Sequence, residues 1–174
     1  LRKWRYMKRV VVTGMGAITP IGNNVREYAE GLKQGRSGAN LITLFDASQF
    51  KTQFACEVKN FDPEQYIDKR EVRRIDRFAH FALASASQAM EDAGLDPATN
   101  PALDPDRIGV IWGSGIGGLR SLEEEVESYA KGSGIPRYSP FMIPKMISDI
   151  AAGHISMRYG LRGVNYGTVS ACAS

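Results

Sequence analysis

Three times along the chain a β-branched run gives way to a turn of small residues, and after two of those turns a helical pattern follows. Lys8 to Thr13 stops at Gly14-Met15-Gly16. Arg107 to Trp112 runs into Gly113-Ser114-Gly115-Ile116-Gly117-Gly118. Gly163 to Ser170 delivers Ser170-Ala171-Cys172-Ala173-Ser174. Buried strands alternating with helices in this way predict an α/β layer architecture with a largely parallel sheet and helices on both faces.

The helices are read from their period. Val25, Tyr28, Ala29 and Leu32 share one face of a helix that Asn23 or Asn24 caps and Gly35 closes. Glu71 to Ala93 is the clearest helix, with Ile75, Ala79, Ala82, Leu83 and Ala86 on an Ala-rich face and Gly94 at its end. Leu119 to Ala130 and Lys145 to Tyr159 complete the set, the latter closed by Gly160. A short strand is expected at Phe54 to Val58.

The chain has 174 residues, with 22 Lys+Arg against 19 Asp+Glu and two cysteines. That length suits one domain with an ordinary core. Two cysteines without a CxxC pair exclude a disulfide scaffold and a zinc ribbon, and a reducing, cytoplasmic compartment fits best. No apolar run reaches the ~20 residues of a membrane span, so no membrane association is expected. A net charge of +3 gives no general case for nucleic-acid binding. Residues 1–6 read as an upstream extension before Met7, with residues 7–174 as the folded unit.

Several residues invite a chemical reading. Gly113-x-Gly115-x-x-Gly118 has the spacing of a dinucleotide fingerprint after a strand and before a helix. A nicotinamide site also needs a second strand ending in an acid ~20 residues on. The stretch Gly134 to Pro140 offers neither, so the glycines are read as backbone passing close to a partner chain or a ligand. His80 and His154 lack metal-spaced partners and read as structural histidines. Cys56, inside a short strand, reads as a small core residue. Asp149 and Glu71 are lone carboxylates, so no glycosidase-type pair is present. Cys172 sits among residues small enough for a sharp strand-to-helix turn, where amide dipoles favour a thiolate. By spacing alone, a buried structural cysteine and a presented nucleophile both remain open. Arg70, Arg73, Arg74 and Arg77 fall on one face of the expected helix, either a solvated surface or a docking patch for an acidic partner.

Taken together, Lys8 to Gly14 with Gly16 and Pro20-Ile21-Gly22, the Gly113–Gly118 loop, Ser139-Pro140-Phe141, Ala152-Gly153-His154 and Ser170-Ala171-Cys172-Ala173-Ser174 strongly resemble the β-ketoacyl-acyl carrier protein synthases, most of all the bacterial elongating synthase II. The resemblance covers Met7 to Ser174. It implies a thiolase-like fold of layered α-β-α-β-α halves, of which this chain is the N-terminal one. It further implies that Cys172 accepts the acyl chain, which then condenses with malonyl-acyl carrier protein in fatty acid elongation. Two histidines and a lysine of the site would lie in the C-terminal half, and no cofactor or metal is implied. Ile116 and Met142 match positions lining the acyl pocket near a homodimer interface, and Arg70, Arg73 and Arg74 match a patch for the acyl carrier protein. Gly163-Val164-Asn165-Tyr166 is similar in part to synthase I, which keeps that subclass as the alternative. A nicotinamide-dependent oxidoreductase and a non-catalytic partner subunit are the remaining readings; the latter would lack the nucleophile.

Overall fold

The computed structural model describes residues 8–132, 135 and 137–174; the expected upstream extension 1–6, Met7, Gly134 and Pro136 lie outside them. The elements run α1 (Val25–Lys33), β1 (Ala39–Leu41), β2 (Phe54–Cys56), α2 (Lys69–Val72), α3 (Arg77–Ala93), β3 (Val110–Gly113), α4 (Leu119–Lys131), α5 (Met142–Met146), α6 (Ile150–Tyr159) and β4 (Asn165–Thr168). Short 3-10 turns lie at Pro63–Gln65, Pro105–Arg107 and Ala171–Ala173.

The core forms where Ala-rich helix faces allow close approach. Ala79 and Ala82 of α3 and Ala151 and Ala152 of α6 are fully buried, and Leu83, Ile155 and Val110 close the cluster around them. Small side chains bring helix backbones together, so the contact is dense. α6 in turn covers one face of the β3–β4 pair. α3 and α6 both end on a glycine with φ of 62°, Gly94 and Gly160, a left-handed cap that a side chain would strain.

Several expectations are corrected. Among the described residues the sheet is not one parallel layer: β3 and β4 pair in parallel, while β1 and β2 form a separate antiparallel pair. Among the described residues helices cover only one face of β3–β4, and Ile111, Tyr166, Val164 and Val169 on or beside the other are exposed. Lys8 to Thr13 is not a buried strand, for Val10 and Val12 are 92% and 81% exposed. A strand needs a neighbour for its amides, and none of the described residues pairs with this one. Just beyond it, the Met15 and Ala17 amides donate to side chains of α3, Asp92 (3.0 Å) and Gln88 (3.1 Å).

Two expected long helices are each broken. The helix expected over Glu71–Ala93 stops at Val72 and restarts at Arg77, because Asp76 is extended and its carboxylate accepts from the Phe78 amide as an N-cap. The helix expected over Lys145–Tyr159 divides into α5 and α6. The Met146 carbonyl, which a continuous helix would offer to residue 150, accepts instead from the Gly118 amide at 3.0 Å. A tertiary partner outcompetes the helical one.

His80 is buried, with Nε2 3.0 Å from the Val72 carbonyl, as a structural histidine should be. Burial lowers the pKa of both His80 and His154 below the ordinary imidazole value. The folded state thus resists protonating them while the unfolded chain does not. Their contribution is complete above the unfolded value of 6.5 and is lost as pH falls from there toward the lowered folded values. The expected result is a falling melting temperature below about pH 6.5, with a shallower slope in the His80→Gln/His154→Gln double variant. An identical slope would assign the acid sensitivity to other groups.

Candidate active site

Parallel pairing decides where the loops go. Val110–Gly113 lies in register with Asn165–Thr168, so Gly113 sits beside Thr168 and the segments leaving both strands emerge at one edge. This is the carboxyl end of a parallel pair, the usual place for a site in α/β folds. One segment is the glycine loop and the other is the turn holding Cys172.

Over Ala171–Ala173 the turn is 3-10. Ala171 has φ of 48°, left-handed backbone that costs a non-glycine residue of order 1 kcal/mol or more. Packing holds it there. The Ser170 amide donates to Ser174 Oγ at 2.7 Å, and that hydroxyl lies 2.8 Å from the Ala171 carbonyl and 3.2 Å from the Ser114 carbonyl. The Ser114 amide donates to the Thr168 carbonyl at 2.9 Å. The outcome is an exposed Cys172 thiol on a strained turn.

The glycine loop makes its close approaches to other parts of this chain. A Cβ on Gly113 would come within 2.8 Å of Ser174, one on Gly117 within 2.4 Å of the Met146 carbonyl, and one on Gly118 within 2.2 Å of the Lys145 carbonyl. Gly115 faces Ala171. The loop is thus wedged between the cysteine turn and the α5–α6 junction, where Ser148 donates to the Ile116 carbonyl at 2.8 Å.

Ile116 projects from this loop and is 63% exposed, and Met142 opens α5 and is half-buried. None of five clefts described for the chain includes Cys172, Ile116 or Met142. Cys56 is exposed, against the expectation of a core residue. Its β1–β2 hairpin stands clear of the α3–α6 core, with Leu41 and Phe54 also open. Burial therefore does not protect this thiol.

The arginines do not share one helix face. Arg70 lies on α2, Arg73 and Arg74 lie in the break before Asp76, and all three are exposed. Arg74 stacks over the Phe141 ring, 5.0 Å from its centroid. Arg77 leaves the patch altogether: it is half-buried, donates to the Val58 carbonyl at 3.3 Å and lies over Phe81. Lys69 pairs with Glu64 at 3.8 Å, whereas among the described residues neither Arg70 nor Arg73 forms an ion pair. Among the described residues no group of His, Cys, Asp and Glu is placed to hold a metal, and no helix is long and apolar enough to cross a membrane.

Sequence reasoning missed Asp76 and Ser121, which join α3 to α4 beneath the loop. A lone Asp and a lone Ser separated by 45 residues carry no local signal.

The profile of the β-ketoacyl synthase N-terminal domain matches residues 7–174. The 3-oxoacyl-[acyl-carrier-protein] synthase 2 of Synechocystis sp. is 48% identical over 167 residues, covering 96% of this chain and 39% of that protein. The ishigamide ketosynthase/chain length factor superposes with a TM-score of 0.80 at 30% identity over 91% of this chain and 39% of its own. A type II polyketide ketosynthase bound to a hexaketide and solved in complex with its acyl-carrier protein, AntDE:AntF, gives a TM-score of 0.69 at 31% identity, over 90% of this chain and 40% of its own. The chain thus spans about two fifths of the length of the relatives it matches, and its fold is the N-terminal part of their thiolase-like α/β architecture.

Proposed function

Because the chain belongs to the β-ketoacyl synthase family through that N-terminal domain, we propose that it carries the acyl-accepting thiol, Cys172, of a 3-oxoacyl-acyl carrier protein synthase of the synthase II type. The observation that carries the reading is the exposed thiol on a strained turn, held against a glycine loop at the carboxyl end of paired parallel strands. Cys172 gives up its proton and its sulfur attacks the acyl thioester; a new carbon–sulfur bond forms, the carrier's carbon–sulfur bond breaks, and the departing carrier sulfur takes up the proton that Cys172 released. Malonyl-carrier then loses carbon dioxide, and the resulting enolate carbon attacks the Cys172 thioester. A carbon–carbon bond replaces the carbon–sulfur bond, and Cys172 is regenerated as thiolate. Stabilising that enolate requires donors aimed at its oxygen. His80 is not offered for this role, since Val72 already engages its Nε2, and we assign the histidines and lysine of the family site to the remainder of the protein. Ile116 and Met142 line the acyl chain in this reading, at an interface between two copies of the protein in the cytoplasm.

Peptide mass mapping of the complete protein after incubation with acyl-carrier tests the assignment. The acyl mass should appear on the peptide holding Cys172; an adduct confined to Cys56 would overturn it.

Arg70, Arg73 and Arg74 receive the acidic carrier protein in the same proposal. Arg70 and Arg73 meet no counter-charge within the described part of the chain, and like charges placed together favour an incoming anionic surface. Exposed charges act mainly on encounter and are screened by salt. Changing all three to glutamate should therefore slow acyl transfer from the carrier about tenfold or more at low salt. Transfer from a small acyl thioester should be untouched. Equal losses on both donors would mean that the arginines serve the fold rather than the carrier.

A further inference from the structure

α4 begins at Leu119, and Gly118 at its N-cap position supplies no side-chain cap. The missing cap comes from another helix. Asp76 is only 8% exposed and caps α3 through Oδ1, which accepts from the Phe78 amide at 3.2 Å. Its Oδ2 accepts from the Ser121 amide at 3.3 Å and from the Ser121 hydroxyl at 2.5 Å. Ser121 is the third residue of α4, the position whose amide a helix cap normally takes, and it too is buried. One carboxylate therefore caps two helices whose positive ends converge on it.

This clasp sits at the root of the glycine loop. A Cβ on Gly118 would lie 3.1 Å from the Asp76 carboxyl carbon, so the loop backbone rests on that group. From there the loop runs past Met146 and Ser148 to Gly115 and Gly113, which abut Ala171 and Ser174. The far end of the loop helps hold Ala171 in its left-handed conformation, and its near end is fixed by Asp76.

We propose that Asp76, acting with Ser121, is a positioning residue for Cys172: by capping α3 and α4 together it fixes the loop against which the strained cysteine turn is seated. The inference rests on Cys172 being the acyl-accepting thiol and adds the residue that sets its presentation. Asp76 touches no reacting atom. Loosening the clasp lets the loop retreat, Ala171 relaxes, and the thiol loses its presented geometry without loss of the fold.

The test compares the two thiols of the complete protein. Asp76→Asn keeps the shape and removes the charge, Ser121→Ala deletes the hydroxyl donor, and Ser121→Thr restores one. Each variant is alkylated with iodoacetamide across a pH range under conditions where its circular dichroism matches the parent's, and the rates at Cys172 and Cys56 are read separately by peptide mass. Cys56, on the separate β1–β2 hairpin, is the internal reference. The expected result is a Cys172 rate about fivefold lower in Asp76→Asn and Ser121→Ala, the factor equivalent to one net hydrogen bond. Cys56 should be unchanged, and Ser121→Thr should behave as the parent does. An unchanged Cys172-to-Cys56 ratio in the folded variants, or a parallel change at both thiols, overturns the proposal. Should Asp76→Asn fail to fold, Ser121→Ala decides the question. The acyl-acceptor reading fails separately, if the acyl mass maps to Cys56, and the thiol rates still report on Asp76.

Discussion

Replacing Cys172 with alanine in the complete protein should abolish the acyl adduct and reduce condensation by a factor on the order of 10³ or more, whereas Cys56→Ala should keep both. The size of the effect follows from the chemistry. The thiolate is the group that becomes bonded to the substrate, and the neighbouring Ser174 hydroxyl is already engaged with Ser170, Ala171 and Ser114. The contrast between the two cysteines does not rest on burial, since both are exposed. It rests on presentation: one thiol lies at the carboxyl end of parallel strands, and the other on a peripheral antiparallel hairpin. Retention of condensation by Cys172→Ala would remove the basis of the proposed function.

The second large effect concerns residues 1–174 produced alone. This segment should accept no steady flow of malonyl-carrier into condensation product, even with Cys172 intact, because stabilising the enolate is the task of the histidines that the proposed reading assigns to the remainder of the protein. It should also associate with itself. Val10, Val12, Ile111, Val164 and Val169 are each more than half exposed, and the face of β3–β4 opposite α6 has no cover among the described residues. Apolar surface of this extent on a soluble chain marks something that should lie against it. Sedimentation and binding of a hydrophobic dye would report the exposed face, and condensation assays the missing chemistry. A monodisperse, dye-silent segment that turns over malonyl-carrier would refute both parts.

Local signals were legible in the sequence wherever local chemistry decides the outcome. Asn24 caps α1, Gly94 and Gly160 end α3 and α6, and the Ala-rich face of α3 lies in the core, all as the sequence pattern predicts. Each depends on a few neighbouring residues and on their intrinsic backbone preferences. The family resemblance was legible too, because it is carried by short motifs in a fixed order, and the domain match over residues 7–174 supports it.

Tertiary structure decided what competing partners decide. Helical period made one helix of Glu71–Ala93 and another of Lys145–Tyr159. The Asp76 carboxylate, capping from two residues ahead of Phe78, broke the first and the remote Gly118 amide the second, and helical period registers neither a cap nor a distant partner. The same holds for Arg77, which shares a sequence spacing with Arg70, Arg73 and Arg74 but turns inward to Val58 and Phe81. Cys56 was misplaced because strand composition reports β-structure and not which face meets a core. The glycines of residues 113–118 announced a close approach without naming what approaches. Only the folded chain identifies it as the turn of Cys172 on one side and the Lys145–Ser148 junction on the other, since contact between remote segments is settled by packing rather than by any local preference.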